Sequence, residues 1–255
     1  MTEAPAFSVV RETTSPGLLE REFRLRVQGR DVPGVVWLPA SAEGKRPLVL
    51  VGHGGTAHKR ADFVLDIVGP LVRDHGFVVA AIDGPVHGDR RDDAASEDQV
   101  RDEFREAWER SDTISPMVAD WQAVLDALCV LPQVNPAAVA WYGVSMGTAY
   151  GLPLVAAEGR IKAAVLGMWG TSRPRSERLL QDAARVQCAV LFVLKWHDDN
   201  FPRDGQVELF DAFSCADRRM VVYPGGHTDP DSVQREDFVS FLVRKLGEDG
   251  KHPAT

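Results

Sequence analysis

Apolar positions along the chain recur with two periods that take turns. "LEREFRLRVQ" (19–28) alternates apolar and polar, and "VPGVVWLPA" (32–40) follows across "GRD", a glycine-containing turn. This predicts an antiparallel hairpin. "PLVLVGHGGT" (47–56) is a short, continuous apolar run ending in glycines, as a strand buried on both faces would be. "ADFVLDIVGPLVRDHG" (61–76) shows helical spacing and closes on Gly76, a residue suited to a helix C-terminus. A second buried strand, "FVVAAIDGP" (77–85), ends at Asp83 and a turn.

The same alternation resumes after a polar interval. "SPMVADWQAVLDALCVLP" (115–132) predicts a helix with Ser115 as cap, Pro116 in the first turn, and Trp121, Val124, Leu125 and Leu128 facing a core. Strands are then predicted in "AAVAWYGV" (137–144), "IKAAVLGMWG" (161–170), "CAVLFVLKW" (188–196) and "RRMVVYP" (218–224). Helices are predicted in "MGTAYGLPLVAAEG" (146–159), "DGQVELFDAF" (204–213) and "DSVQREDFVSFLVRKL" (231–246), where Phe238, Phe241 and Leu242 share a face. Two opening strands followed by repeated strand–helix units define an α/β fold, a doubly wound and mostly parallel sheet with helices on both sides.

Two stretches break the rhythm. Residues 88–113 are rich in Asp, Glu and Arg, with Val100, Phe104 and Trp108 recurring every fourth position. That narrow stripe predicts a charged surface helix or lid. Residues 171–186 form a second polar insertion. With no repeat or linker in between, residues 1–255 are expected to form one domain.

Composition narrows the classes. A net charge of -8 lacks the basic footprint of nucleic-acid binding. No apolar run reaches the roughly 18 residues of a membrane span, and the N-terminal segment lacks the pattern of a secretory signal. A cytoplasmic protein acting on a small molecule is expected, with the oligomeric state open. Cys129, Cys188 and Cys215 lie far apart, without metal-ligand spacing. Cys129 and Cys188 fall in apolar segments and are expected to be buried, inert thiols.

The candidate chemistry centres on "GVSMG" (143–147), a Gly-x-Ser-x-Gly pattern between a predicted strand and a predicted helix. A serine on so sharp a turn is lifted above the sheet edge, at a helix N-terminus that favours negative charge. Its hydroxyl needs a base, because almost no alkoxide exists at neutral pH. Among seven histidines, His227 in "YPGGHTDP" lies between the last strand and the last helix, where the ring can reach the sheet edge. His58 follows the glycine loop, His75 ends a helix, His197 adjoins the candidate acid, and His252 lies in a polar tail. The acid that would hold the imidazole is Asp198 or Asp199 in "KWHDDNFP". The N–H of Met146 and one from "VGHGGT" (51–56) would together cradle an oxyanion. That glycine loop matches no phosphate-binding pattern.

These landmarks, in the order "HGG", "GVSMG", "HDDNFP" and "GGH", resemble the α/β-hydrolase superfamily over nearly the whole chain, most closely its serine esterases of the dienelactone-hydrolase-like group, close in core to prolyl-oligopeptidase catalytic domains. The resemblance implies Ser145 as nucleophile, His227 as base and Asp198 as acid, since that group sets the acid four residues before a proline, here Pro202. It also implies Gly55 and Met146 as oxyanion donors, and no metal or organic cofactor. Dienelactone hydrolases proper carry cysteine at the nucleophile, so their own reaction does not transfer. "AIDGPVHGDR" (81–90) resembles the group's Asp-x-x-Gly-His-Gly turn, with Val86 replacing a glycine; His87 is expected to be structural or pocket-lining. Phe104, Trp108, Met168 and Trp169 are expected to shape an apolar acyl or alcohol pocket. The expected activity is hydrolysis of a carboxylic ester through an acyl-enzyme. A thioesterase, lactonase or peptidase with the same triad, and a non-catalytic binding protein of this fold, are the alternatives.

Overall fold

The computed structural model describes residues 8–41, 43–91, 94–229 and 232–247. Three antiparallel strands open the chain: β1 (Ser8–Ser15), β2 (Leu18–Val27) and β3 (Arg30–Pro39). β1 is one more strand than the hydrophobic pattern predicts. Seven of its eight residues are exposed, so with neither face buried there is no alternation to read. It is tied to β2 by backbone pairing and by the Arg21–Glu12 ion pair.

Six further strands follow: β4 (Arg46–Val51), β5 (Val78–Ile82), β6 (Val134–Tyr142), β7 (Ile161–Gly167), β8 (Ala189–Lys195) and β9 (Arg218–Tyr223). The sheet runs β1-β2-β3-β5-β4-β6-β7-β8-β9, antiparallel as far as the β3–β5 pair and parallel from β5 to β9. Strand order reverses around β4, so the loops after β4 and β6 face each other across a crevice at the strands' carboxyl ends.

Each face of the sheet has its own core. Along β4, Leu48 and Leu50 point to one side while Val49 and Val51 point to the other, the period-two signature of a strand covered on both faces. α3 (Ile114–Cys129), α4 (Met146–Ala157) and α5 (Glu177–Ala183) cover the first side. There Trp121 meets Trp141 edge to face at 5.0 Å between centroids. Gly151 of α4 lets Trp141 come this close: a Cβ at position 151 would lie 2.1 Å from the indole. α1 (Asp62–Gly69) and α7 (Ser232–Gly247) cover the other side with Val64, Ile67, Phe238, Phe241 and Leu242.

Two predicted helix details change. The helix read over 61–76 ends as α1 at Gly69 and widens into a π-turn, Pro70–Asp74, before Gly76 turns the chain at φ +68°. Pro70 has no N–H to continue the ladder, and His75 N–H reaches back five residues to Pro70 O instead. α3 begins ahead of Ser115: Asp112 Oδ1 accepts from the N–H groups of Ile114 and Ser115, both at 3.1 Å, and so supplies the cap.

Residues 88–113 contain a 3₁₀ turn, Gly88–Arg90, and α2 (Glu97–Arg110), which starts with a reciprocal Ser96–Gln99 capping box. Phe104 and Trp108 are buried beneath α2. Residues 171–186 contain α5, and α6 (Arg203–Asp211) follows β8. Cys129 and Cys188 are half-buried and Cys215 is buried. Burial pushes the Cys188 thiol up to about 12, far from a reactive thiolate.

Candidate active site

Ser145 sits between β6 and α4 with φ +58° and ψ −124°, a conformation sparsely populated by residues with a side chain. Its N–H is held by Gly167 O at 2.9 Å, and Thr148 Oγ1 accepts from Gly167 N–H at 2.7 Å, so β7 clamps the turn. The motif glycines have a steric cause. A Cβ on Gly147 would come within 2.7 Å of Gly52 O, and one on Gly143 within 3.0 Å of Gly147 Cα. The β4 loop and α4 can cross at this distance only without side chains there.

Ser145 Oγ lies 3.0 Å from His227 Nε2, and His227 Nδ1 lies 2.9 Å from Asp198 Oδ2. An ionised carboxylate can only accept, so Nδ1 carries the proton and Nε2 is left to accept from the serine hydroxyl. The Asp198 side chain is fully enclosed, and its Oδ1 accepts from the N–H groups of Asn200 and Phe201 at 2.9 Å each. Gln206 Nε2 adds a longer contact, 3.4 Å, to Oδ2. Asp199 is exposed. The other candidate histidines stand elsewhere: His58, His75 and His197 are exposed, and His252 lies outside the described residues.

Met146 is the first residue of α4, and the Cβ position of Gly55 lies 3.9 Å from Met146 Cβ. The glycine loop therefore runs beside the helix N-terminus, where backbone N–H groups have no intrahelical acceptor. Behind that loop are two buried imidazoles. His53 Nδ1 lies 2.8 Å from Gly54 O, and its Nε2 accepts from Gly84 N–H at 2.8 Å. His87 Nε2 lies 3.1 Å from Gly55 O, and its Nδ1 faces Pro85 O. His87 is fully buried and does not line the cavity, so its place is structural; the pocket role is corrected, because Gly55 and Phe104 stand in front of it.

Burial pushes the His53 imidazole down to about 3 from 6.5, with the neighbouring His87 adding to the shift; burial also lowers His87. The sign of the pH effect follows. Below 6.5 the unfolded chain takes up a proton that folded His53 refuses, so its contribution to stability is complete above that pH and is lost progressively towards 3. We expect His53 to account for about 2 kcal/mol of stability lost between pH 6.5 and about pH 5. Urea unfolding of the wild type and His53→Asn at both pH values checks this: the acid loss should be smaller in the variant, and equal losses would refute it.

Ser145 and His227 open into a cavity of about 490 Å³. Phe104, Trp108, Trp169 and Phe201 form one wall, and Tyr142, Met168 and Phe238 lie on the other side. The first wall is a continuous aromatic contact, with Trp108–Trp169 at 5.1 Å and Trp169–Phe201 at 4.6 Å. Phe201 in turn lies 5.5 Å from the His227 ring. Trp108 Nε1 donates to Pro174 O at 2.7 Å, which ties α2 to the second insertion. The Arg173 guanidinium stands 5.1 Å over the Phe201 ring. The sequence reading did not single out His53, Phe201 or Arg173. Only the position of Phe201 beside the candidate acid carried a signal. Among the described residues no group of three or more His, Cys, Asp or Glu is placed to hold a metal ion, and no helix is long and apolar enough to cross a membrane.

Sheet order, strained serine turn and flanking layers define an α/β-hydrolase. Residues 32–228 match the model of the dienelactone hydrolase family, and the chain belongs to that family of hydrolytic enzymes. No match is found among curated proteins. Among solved structures, the chain is similar to a cold-adapted esterase from an Arctic intertidal metagenomic library. The two share 34% identity over 94% of this chain and 99% of that one, with a TM-score of 0.84. An acetyl xylan esterase from Paenibacillus sp. R4 shares the fold at 14% identity, over 94% of this chain and 88% of that one, with a TM-score of 0.72. A dienelactone hydrolase-like promiscuous phosphotriesterase from metagenomic libraries does so at 21%, over 91% and 100%, with a TM-score of 0.71.

Proposed function

We propose that this protein hydrolyses carboxylic esters of small molecules through a covalent acyl-serine. The observation that carries the reading is the unbroken hydrogen-bonded line from Ser145 Oγ through His227 to Asp198, mounted on a strained turn at the floor of an aromatic cavity. The 34% identical relative, itself an esterase, supports it.

In the first half-reaction Ser145 Oγ attacks the acyl carbon while its proton passes to His227 Nε2. Asp198 keeps Nδ1–H in place and stabilises the imidazolium. The N–H groups of Met146 and Gly55 donate to the carbonyl oxygen as negative charge develops on it. Collapse of the tetrahedral species breaks the bond to the alkoxide oxygen, which takes the proton from Nε2 and leaves as an alcohol. Water then repeats the sequence on the acyl-serine and releases the carboxylic acid. The free cysteines suit a reducing, cytoplasmic setting.

A fluorophosphonate probe is expected to label Ser145, and an ester is expected to be turned over far faster than the thioester or anilide of the same acyl group. Intact-mass analysis and relative kcat/KM values check both. Absence of labelling in folded protein would overturn the reading, and preference for the thioester or anilide would reassign the substrate.

A further inference from the structure

The proposed reaction makes no use of His53 or His87, yet both imidazoles are buried against successive carbonyls of the glycine loop. Gly84 N–H can only donate, so His53 Nε2 must be its acceptor and the His53 proton must sit on Nδ1, facing Gly54 O. In a planar trans peptide the C=O and the following N–H point in opposite directions. A bond to Gly54 O therefore aims Gly55 N–H the other way. A neutral His87 ring has one N–H; with that proton on Nε2 it donates to the next carbonyl, Gly55 O, at 3.1 Å and fixes the next peptide plane. The two rings meet edge to face at 5.0 Å.

Their far ends rest on the turn after β5. Gly84 N–H donates to His53 Nε2, and His87 belongs to that turn, its own N–H donating to Gly84 O at 3.2 Å; the turn is itself immobilised. Asp83 is fully buried and accepts from Lys59 N–H at 2.9 Å, from Lys59 Nζ at 2.5 Å and from Asp89 N–H at 2.9 Å. Gly88 adopts φ +50° there, and a Cβ would strike the Asp83 carboxylate at 2.3 Å. The line of contact thus runs from a buried ion pair, through the turn and two imidazoles, to the proposed oxyanion donor.

We propose that His53 and His87 are positioning residues that transmit the rigidity of the β5 turn to the glycine loop and fix the direction of Gly55 N–H before substrate arrives. This rests on the esterase reading and adds to it a way of holding the anion pocket in shape. A pocket set in advance stabilises the transition state more than the ground state, so its loss falls on kcat.

The test compares leucine with amide replacements. Asn at 53 places a donor near the Nδ1 position and Gln at 87 places one near Nε2, whereas leucine supplies neither. His53→Leu and His87→Leu are expected to lower kcat for p-nitrophenyl acetate by about 10- to 100-fold, with KM within about twofold. Affinity for a trifluoromethyl ketone, which forms a tetrahedral adduct on the serine, should fall by the same factor. His53→Asn and His87→Gln should recover most of that loss. Wild-type kcat in the leucine variants, a loss borne by KM, or amide variants no better than leucine would overturn the proposal. Where a leucine variant does not fold, Asn is compared with Gln at the same position; equal activities there would refute it. If the wild type turns over no ester yet Ser145 is labelled, the ester reading fails while the brace is judged on labelling rates of the same variants. If the wild type neither turns over nor labels, both fall.

Discussion

Replacing Ser145 with alanine is expected to lower kcat for ester hydrolysis by about 10⁶-fold while leaving the fold intact. Alanine keeps the Cβ at φ +58°, so the turn keeps its strain and its N–H bond to Gly167 O. What disappears is the hydroxyl oxygen that lies 3.0 Å from His227 Nε2, the proposed nucleophile. The residual rate is that of water attacking a carbonyl still held by backbone donors, and His227 alone does little without a nucleophile to deprotonate. Stopped assays with an active-site titrant measure kcat, and thermal melts show that the variant is folded. Retention of more than about 1% of wild-type turnover would assign the chemistry to another group.

Asp198→Asn is expected to be almost as damaging, at about 10⁴-fold in kcat, through a different cause. Oδ1 of Asp198 is committed to the N–H groups of Asn200 and Phe201, so an asparagine would keep its oxygen there and turn its NH₂ towards His227. Two donors would then face each other across 2.9 Å. The imidazole escapes by moving its proton to Nε2, the tautomer that cannot accept from Ser145. KM should change little, since Asp198 does not itself line the cavity. A pH–rate profile checks the cause, because the variant should lose the limb that reports an imidazole acting as base. An Asp198→Asn enzyme with near-wild-type kcat would show that His227 is oriented by something else.

The hydrophobic pattern carried the sheet and its order of elements, because buried strands such as β4 and β5 are continuous apolar runs bounded by glycine. It was silent on β1, whose residues face water on both sides and leave no period to detect. It misjudged the start of α3, since a carboxylate at Asp112 takes the N–H groups of Ile114 and Ser115 and so opens the helix ahead of the serine expected to cap it. At the candidate site, Ser145, His227 and both aspartates were visible as landmarks in order. The choice between Asp198 and Asp199 came from a resemblance; in the structure Asp198 is the one held by the N–H groups of its own turn. His53 was passed over as part of a glycine loop. Its partner, Gly84, is 31 residues away, and no local spacing announces a contact made by the crossing of two loops.

The aromatic wall has a consequence for how this molecule can change. Phe104 and Trp108 ride on α2, and Trp108 is tied to the second insertion through Pro174, whereas Ser145, Asp198 and His227 are held at the tips of β6, β8 and β9. On the proposed reaction, the part of the wall carried by α2 is thus written in a different stretch of polypeptide from the nucleophile, base and acid, whereas Phe201 shares the turn of Asp198. If the proposed reaction holds, exchanging α2 alters which molecules enter while leaving the Ser145–His227–Asp198 line in place.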